Sequence, residues 1–182
     1  MIGTSVCETI RSIWIAGMPF AGKTTLAHLL IARLRAEGQQ CVCLDGDDVR
    51  DVFDRRLGFD PKSRRKQTAR MLRLTKLMVH NKTLPVTAMI HPFNDDRKMC
   101  RDAIPGSIMI VLECDFKELM RRDSKKLYIP ALRGDRKHVV GVDIPFDAPD
   151  GVDLVIDTGV LDPEQMLDAA WQFIVPRLLP QS

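Results

Sequence analysis

Residues 17–24 read Gly-Met-Pro-Phe-Ala-Gly-Lys-Thr and satisfy the pattern G-x-x-x-x-G-K-[ST]. An apolar run, Ser12–Ala16, precedes this octapeptide, and a helical pattern from Gly22 to Glu37 follows it. Between a strand and a helix, glycines at both ends let the backbone turn tightly, so that successive N–H groups face one anion. The helix adds the positive end of its dipole. The spacing therefore assigns Gly17, Met18, Pro19, Phe20, Ala21, Gly22, Lys23, Thr24 and Thr25 to the phosphates of ATP. Lys23 reaches the β- and γ-phosphates, the Thr24 hydroxyl is placed to ligate Mg²⁺, and Thr25 adds a contact to the α-phosphate. A chance Gly-rich turn has no need of the flanking strand and helix. The loop does not specify what receives the phosphoryl group.

Short β-rich runs alternate with longer helical patterns along the rest of the chain. Strands are expected at Ser12–Ala16, Cys41–Leu44, Pro85–Ile90, Ile108–Glu113 and Leu154–Ile156. Helices are expected at Gly22–Glu37, Asp47–Arg55, Ser63–Asn81, Asp95–Ala103, Phe116–Arg122 and Pro163–Leu178. The strands are continuous apolar runs, the mark of burial on both faces, and repeated strand–helix–strand units imply a parallel sheet. The expected fold is a three-layer α/β domain of P-loop nucleotide kinase type, with a central, mostly parallel sheet and helices on both faces. At 182 residues and 45% apolar composition, one domain covering 1–182 can bury a full core. Only the stretch from about 123 to 150 breaks the rhythm, being basic at first, then rich in Gly, Pro and Asp. A loop of this length is expected to act as a lid.

Composition removes several classes of function. A net charge of +3 suits an enzyme of small anions and does not call for a nucleic-acid polymer. Apolar stretches such as Leu84–Ile90 are far too short to span a bilayer, so no membrane partner is expected. The N-terminus lacks a basic segment followed by an apolar core and cleavage site, so the cytoplasm is the expected compartment. The five cysteines have no metal-ligand spacing and read as reduced, small hydrophobes.

The second strand runs directly into Asp45-Gly46-Asp47-Asp48-Val49-Arg50. In an open α/β sheet ligands bind at the carboxyl ends of strands, which puts these carboxylates at the active edge. Transfer to a hydroxyl needs a group that takes its proton and oxygen ligands for Mg²⁺. Asp47 is assigned as general base and Asp45, with Thr24, as the Mg²⁺ ligand; with Lys23 they form the catalytic set. Arg50 is placed to clamp a phosphate of the acceptor. Asp48 reads as an acidic helix N-terminus, and capping by Asp47 or Asp48 is the plain structural alternative.

A P-loop followed by Leu44-Asp45-Gly46-Asp47-x-Val49-Arg50 and by Leu57-Gly58-Phe59 resembles adenylylsulfate kinase (APS kinase). Arg64, Ile90-His91-Pro92-Phe93 with Asp96-Arg97, Arg122-Asp123-x-Lys125-x-Leu127-Tyr128, and Gly141-Val142-Asp143-Ile144-Pro145-Phe146-Asp147-Ala148-Pro149 continue the likeness over nearly the whole chain. The resemblance implies transfer of the γ-phosphate of MgATP to the 3′-hydroxyl of adenosine 5′-phosphosulfate. It implies an acceptor pocket formed by Arg50, Phe59, Arg64, Gln67, His91, Pro92 and Phe93, with Lys125, Lys137 and Val139 contributed by the lid. Members of that family often form dimers, so a homodimer is expected, with no interface legible in the sequence.

Departures from the family cluster on the acceptor side. Asp48 and Gln67 stand where the family has Asn, His91 where it has Ser, and Asn94 where it has a basic residue. Val139 stands where the family has the Phe that stacks on adenine, and an aromatic platform under a base is worth about 1–3 kcal/mol. The same chemistry on another nucleotide is the alternative, as in the related kinase of cytidine diphosphoramidate, whose lid the Val139–Asp143 run resembles. An ATP-binding regulatory module is a second alternative, without a recognisable switch segment to support it. Phe59 reads equally as core or pocket. Lys66, Arg70 and Arg73 read as the solvated face of a helix whose apolar stripe is Met71, Leu74, Leu77 and Met78.

Overall fold

Residues 10–53 and 57–178 are described by a computed structural model. Five strands, β1 (Ser12–Gly17), β2 (Cys41–Asp45), β3 (Leu84–Met89), β4 (Ser107–Glu113) and β5 (Leu154–Asp157), form one sheet in the order β2-β3-β1-β4-β5. Every pairing among them is parallel, so the antiparallel edge that "mostly parallel" left open is absent from the described strands. From β1 the chain runs to the far edge on one side and later returns to build β4 on the other. The crevice at the carboxyl end of β1 lies where strand order reverses, the usual ligand position in such sheets.

The apolar runs divide cleanly between the two faces. Along β1, Ile13 and Ile15 join the core under α1 (Lys23–Ala36) and α7 (Pro163–Leu178). Trp14 and Ala16 point the other way, into a second core under α3 (Pro61–His80) and α4 (Asn94–Asp102). A strand alternates sides at every residue, so a strand buried on both faces must be apolar throughout. The remaining helices are short: α2 (Gly46–Val52), α5 (Phe116–Arg121) and α6 (Tyr128–Leu132).

Helix boundaries differ from expectation where a cap decides them. α3 begins at Pro61, two residues before the expected Ser63. Asp60 is its N-cap, accepting from Ser63 N at 3.0 Å and from Ser63 Oγ at 2.6 Å, and proline suits the first turn because its missing N–H leaves nothing unpaired there. α2 ends at Val52; the expected end at Arg55 falls outside the described residues.

The 123–150 segment is more structured than its composition suggests. It opens with Asp123, whose Oδ2 accepts from Leu127 N (2.6 Å) and Tyr128 N (2.8 Å). It then forms α6, a helix too short to show a period in sequence. Tyr128 is fully buried, edge-on to Phe20 and Phe116, with its hydroxyl donating to Pro19 O at 3.1 Å. At the far end Asp147 N donates to Pro92 O (2.8 Å) and Asp147 Oδ2 accepts from Asn94 N (2.9 Å), which caps α4 from outside. The 123–150 segment is thus pinned to the rest of the domain at both ends.

Because both faces of the sheet are packed, truncation of an interior strand residue leaves a cavity that the neighbouring strands cannot close. Ile110 in β4 has no exposed surface. Ile110→Ala is expected to lower unfolding stability by about 2–5 kcal/mol, measured by chemical denaturation.

Candidate active site

The β1–α1 loop is built for an anion. Gly22 takes φ 91°, a left-handed conformation that costs a glycine nothing, and α1 starts after it without a side-chain cap. The first N–H groups of a helix lack partners within it, so this end presents donors to the cleft. Lys23 Nζ folds back on the loop and donates to Met18 O at 2.7 Å. Burial lowers its pKa to about 8, against the opposing pull of Asp45 and Asp47.

Asp45 ties this loop to the acidic elbow. Its Oδ2 accepts from Thr24 Oγ1 at 2.7 Å, and its Oδ1 accepts from Asp47 N at 2.8 Å, which makes it the N-cap of α2. The cap is therefore Asp45, and not Asp47 or Asp48. The β2 strand delivers it because Asp45 is the strand's last residue, at the same sheet edge as Gly17. Asp47 is left free to project: its side chain is 73% exposed, and Oδ2 lies 3.6 Å from Lys125 Nζ on the lid. Both carboxylates face the phosphate loop, and Lys23, Asp45 and Asp47 line one cleft of about 470 Å³.

The other wall of that cleft is cationic and partly aromatic. Arg50, on α2, donates through Nη1 to Leu57 O and Gly58 O, each at 3.1 Å. Arg64, on α3, is 7% exposed and donates through Nη2 to His138 O at 3.0 Å. Burial and the charge of Arg50 bring its pKa down to about 10, so it is held as a cation at a cost that a bound anion would relieve. The Phe59 ring lies between the two guanidinium groups, 4.9 Å from Arg50 and 5.8 Å from Arg64. With half its surface exposed in the cleft, Phe59 is a pocket residue and not core. Gln67 is buried, donating to Gly46 O at 3.2 Å while its Oε1 has no partner among the described residues. Lys125, Lys137 and Val139 of the lid complete the lining.

Three residues expected at the acceptor sit elsewhere. The chain turns after β3 so that Ile90 lines the cleft, while the next ring, His91, swings beneath the sheet. His91 stacks on Trp14 with centroids 5.8 Å apart, its Nε2 3.8 Å from Cys100 Sγ, and burial pushes its pKa down to about 3. It is a neutral core histidine. Pro92 is buried and engages the lid through its carbonyl. Phe93 faces a separate shallow depression with Arg65 over its ring at 5.2 Å. All three immediately follow a strand at the active edge, but β3 ends at Met89 and the turn after it, not strand alternation, sets where their side chains go. Arg136 and His138 also line the cleft. Nothing in the sequence separates them from the surrounding basic surface of the lid.

The thiols are not candidates for chemistry. All four described cysteines are free, and burial raises Cys43 to about 11 and Cys100 to about 12.

Known proteins resemble this chain in sequence and fold. A family model described as adenylylsulphate kinase matches residues 10–157. A relative named probable adenylyl-sulfate kinase, from Bacillus subtilis (strain 168), is 32% identical over 168 residues, which is 91% of this chain and 85% of the relative. The adenylyl-sulfate kinase of Staphylococcus epidermidis is 36% identical over 148 residues, 80% of this chain and 74% of the relative. Among solved structures, the Mycobacterium tuberculosis APS kinase CysC in complex with AMPPNP and APS superposes with a TM-score of 0.84 at 24% identity, covering 92% of this chain and 99% of that one, which supports the fold. With the model matching from the first strand to the last, this chain belongs to the adenylylsulfate kinase family and is an ATP-dependent kinase with a hydroxyl acceptor.

Proposed function

We propose that the chain transfers the γ-phosphoryl group of ATP to the 3′-hydroxyl of adenosine 5′-phosphosulfate, with Asp47 as the base. The observation that carries this is the linked set Thr24–Asp45–Asp47, which faces the Arg50 and Arg64 pair across one cleft. Phosphate donors on one wall and anion clamps on the other suit two anionic substrates meeting at a central carboxylate. The names of the relatives supply the acceptor.

Each residue then has a physical task. The open N–H groups at the start of α1 and Lys23 hold the triphosphate. Arg64 and Arg50 bind the 5′-anion of the acceptor, where the planar fork of Arg matches phosphate or sulfate oxygens. Phe59 offers a flat apolar face beside them. Asp47 accepts the proton of the 3′-hydroxyl as its oxygen bonds to the γ-phosphorus; the bond from that phosphorus to the bridging oxygen breaks, and ADP leaves. Lys125, drawn to Asp47 in this structure, is close enough to neutralise charge on the transferring group.

The Thr24 hydroxyl and Asp45 carboxylate are hard oxygen ligands 2.7 Å apart, and Mg²⁺ takes one or two such protein ligands beside phosphates and water. They would hold the ion, which when bound spreads the charge of the phosphates. We place the reaction in the cytoplasm, where ATP is supplied and cysteines stay reduced.

Asp47→Ala is expected to reduce kcat by about 10²–10⁴ while leaving ATP affinity unchanged, as read by coupled ADP release and calorimetry. Full turnover in that variant would remove the base assignment. Lys23→Ala should abolish transfer with the fold retained by circular dichroism. The pH dependence follows from Lys23. It is cationic below about pH 8 in the free protein, and its neutral form has no attraction for phosphate. ATP affinity should therefore fall as pH rises through 8, by up to about tenfold per unit, until the pKa of the complex is reached. Lys23→Arg, which stays charged, should bind ATP with no such slope between pH 7 and 9.5. A wild-type affinity that is flat over this range would overturn the assignment.

A further inference from the structure

One turn, His138 to Ile144, contacts Arg64 on one side of the cleft and the β1–α1 loop on the other. His138 has φ 66°, a left-handed conformation that a side chain disfavours. Asp143 holds it there: Oδ2 accepts from His138 N and Oδ1 from Val139 N, each at 2.6 Å. The backbone between them is tied into a tight turn, in which Asp143 N and Ile144 N donate to Val139 O at 3.2 Å and Gly141 N donates to Ile144 O at 2.8 Å. Held this way, the His138 carbonyl accepts from Arg64 Nη2 at 3.0 Å. Arg64 Nε is buried without a hydrogen-bond partner among the described residues. The Arg64 guanidinium is thus held by a carbonyl whose direction depends on a residue in the left-handed region.

On the turn's other side Gly141, at φ 92°, packs against the phosphate loop so closely that a Cβ there would collide with Met18 Cε. Met18 is the residue whose carbonyl receives Lys23. Asp143 itself is exposed, so its substitution removes nothing from the core.

We propose that Asp143 is a positioning residue for the acceptor: it locks the His138 turn, and through the His138 carbonyl it orients Arg64 toward the anionic group of the incoming nucleotide. This rests on the reading of Arg64 as an acceptor clamp. The carboxylate is specifically required because it must accept from two backbone N–H groups at once. In Asp143→Asn one of the two acceptors becomes a donor facing another donor, so the turn loses half of its clamp at nearly constant volume. The negative charge of Asp143 also favours the charged form of Arg64.

The test uses the purified full chain with ATP and adenosine 5′-phosphosulfate in an ADP-release assay. Asp143→Asn should raise the KM of the acceptor by about tenfold, with the KM of ATP and the thermal midpoint nearly unchanged. Arg64→Ala should raise the acceptor KM at least as much. Placing His138→Gly in the Asp143→Asn background should restore a good part of the acceptor KM, because glycine adopts positive φ without a Cβ penalty. If Arg64→Ala leaves the acceptor KM unmoved, the acceptor reading of the cleft fails. If Arg64→Ala raises it and Asp143→Asn does not, the positioning role fails while that reading stands. A loss in Asp143→Asn that falls equally on ATP and acceptor, or that His138→Gly does not relieve, also overturns the proposal.

Discussion

The Asp45 carboxylate joins the two halves of the active site. One oxygen receives the Thr24 hydroxyl from the phosphate loop, and the other receives the Asp47 amide and starts α2. A single strand end thereby sets the distance between the donor loop and the elbow. Hydrogen bonds to a charged acceptor are short and directional, so this link holds position better than apolar contact alone would. Asp47 points into the cleft because Asp45 has taken the capping role; with the cap satisfied, the Asp47 side chain has no local partner and reaches across to the lid.

The lid obeys a different logic from a free loop. Tyr128 sits in the main core, Asp123 and Asp147 bind backbone N–H groups at the lid's two ends, and Asp143 does the same in the middle. Each acidic side chain replaces backbone partners that an irregular segment cannot supply to itself. Asp123, Asp143 and Asp147 of this segment are internal braces. The segment still presents Lys125, Lys137 and Val139 to the cleft, so bracing and cleft lining come from one stretch of chain.

Much of the fold was legible because its signals are local. Continuous apolar runs marked all five strands, and the two-faced burial of β1 shows why alternation was absent. The phosphate loop was legible for the same reason: eight consecutive residues carry the backbone turn, the lysine and the hydroxyl. Asp60-Pro61 announced the start of α3 and was read two residues late, a missed cap and not a missing signal. α6 gave no usable period at five residues. His91 was misplaced because position along the chain places it at the active edge, whereas its ring direction depends on the turn after β3 and on the space beside Trp14.

The sequence by itself determined the parallel α/β architecture, the phosphate-binding loop, and the set of carboxylates and arginines available for phosphoryl transfer. All of these depend on residues adjacent in the chain or repeated at a fixed period. Tertiary structure decided which members of that set meet: that Asp45 caps while Asp47 projects, that Phe59 lies between Arg50 and Arg64, and that His91 faces the core. Those outcomes turn on side-chain contacts such as Thr24 with Asp45, 21 positions apart, and Trp14 with His91, far apart in the chain, where no local rule of spacing sets the direction of a side chain.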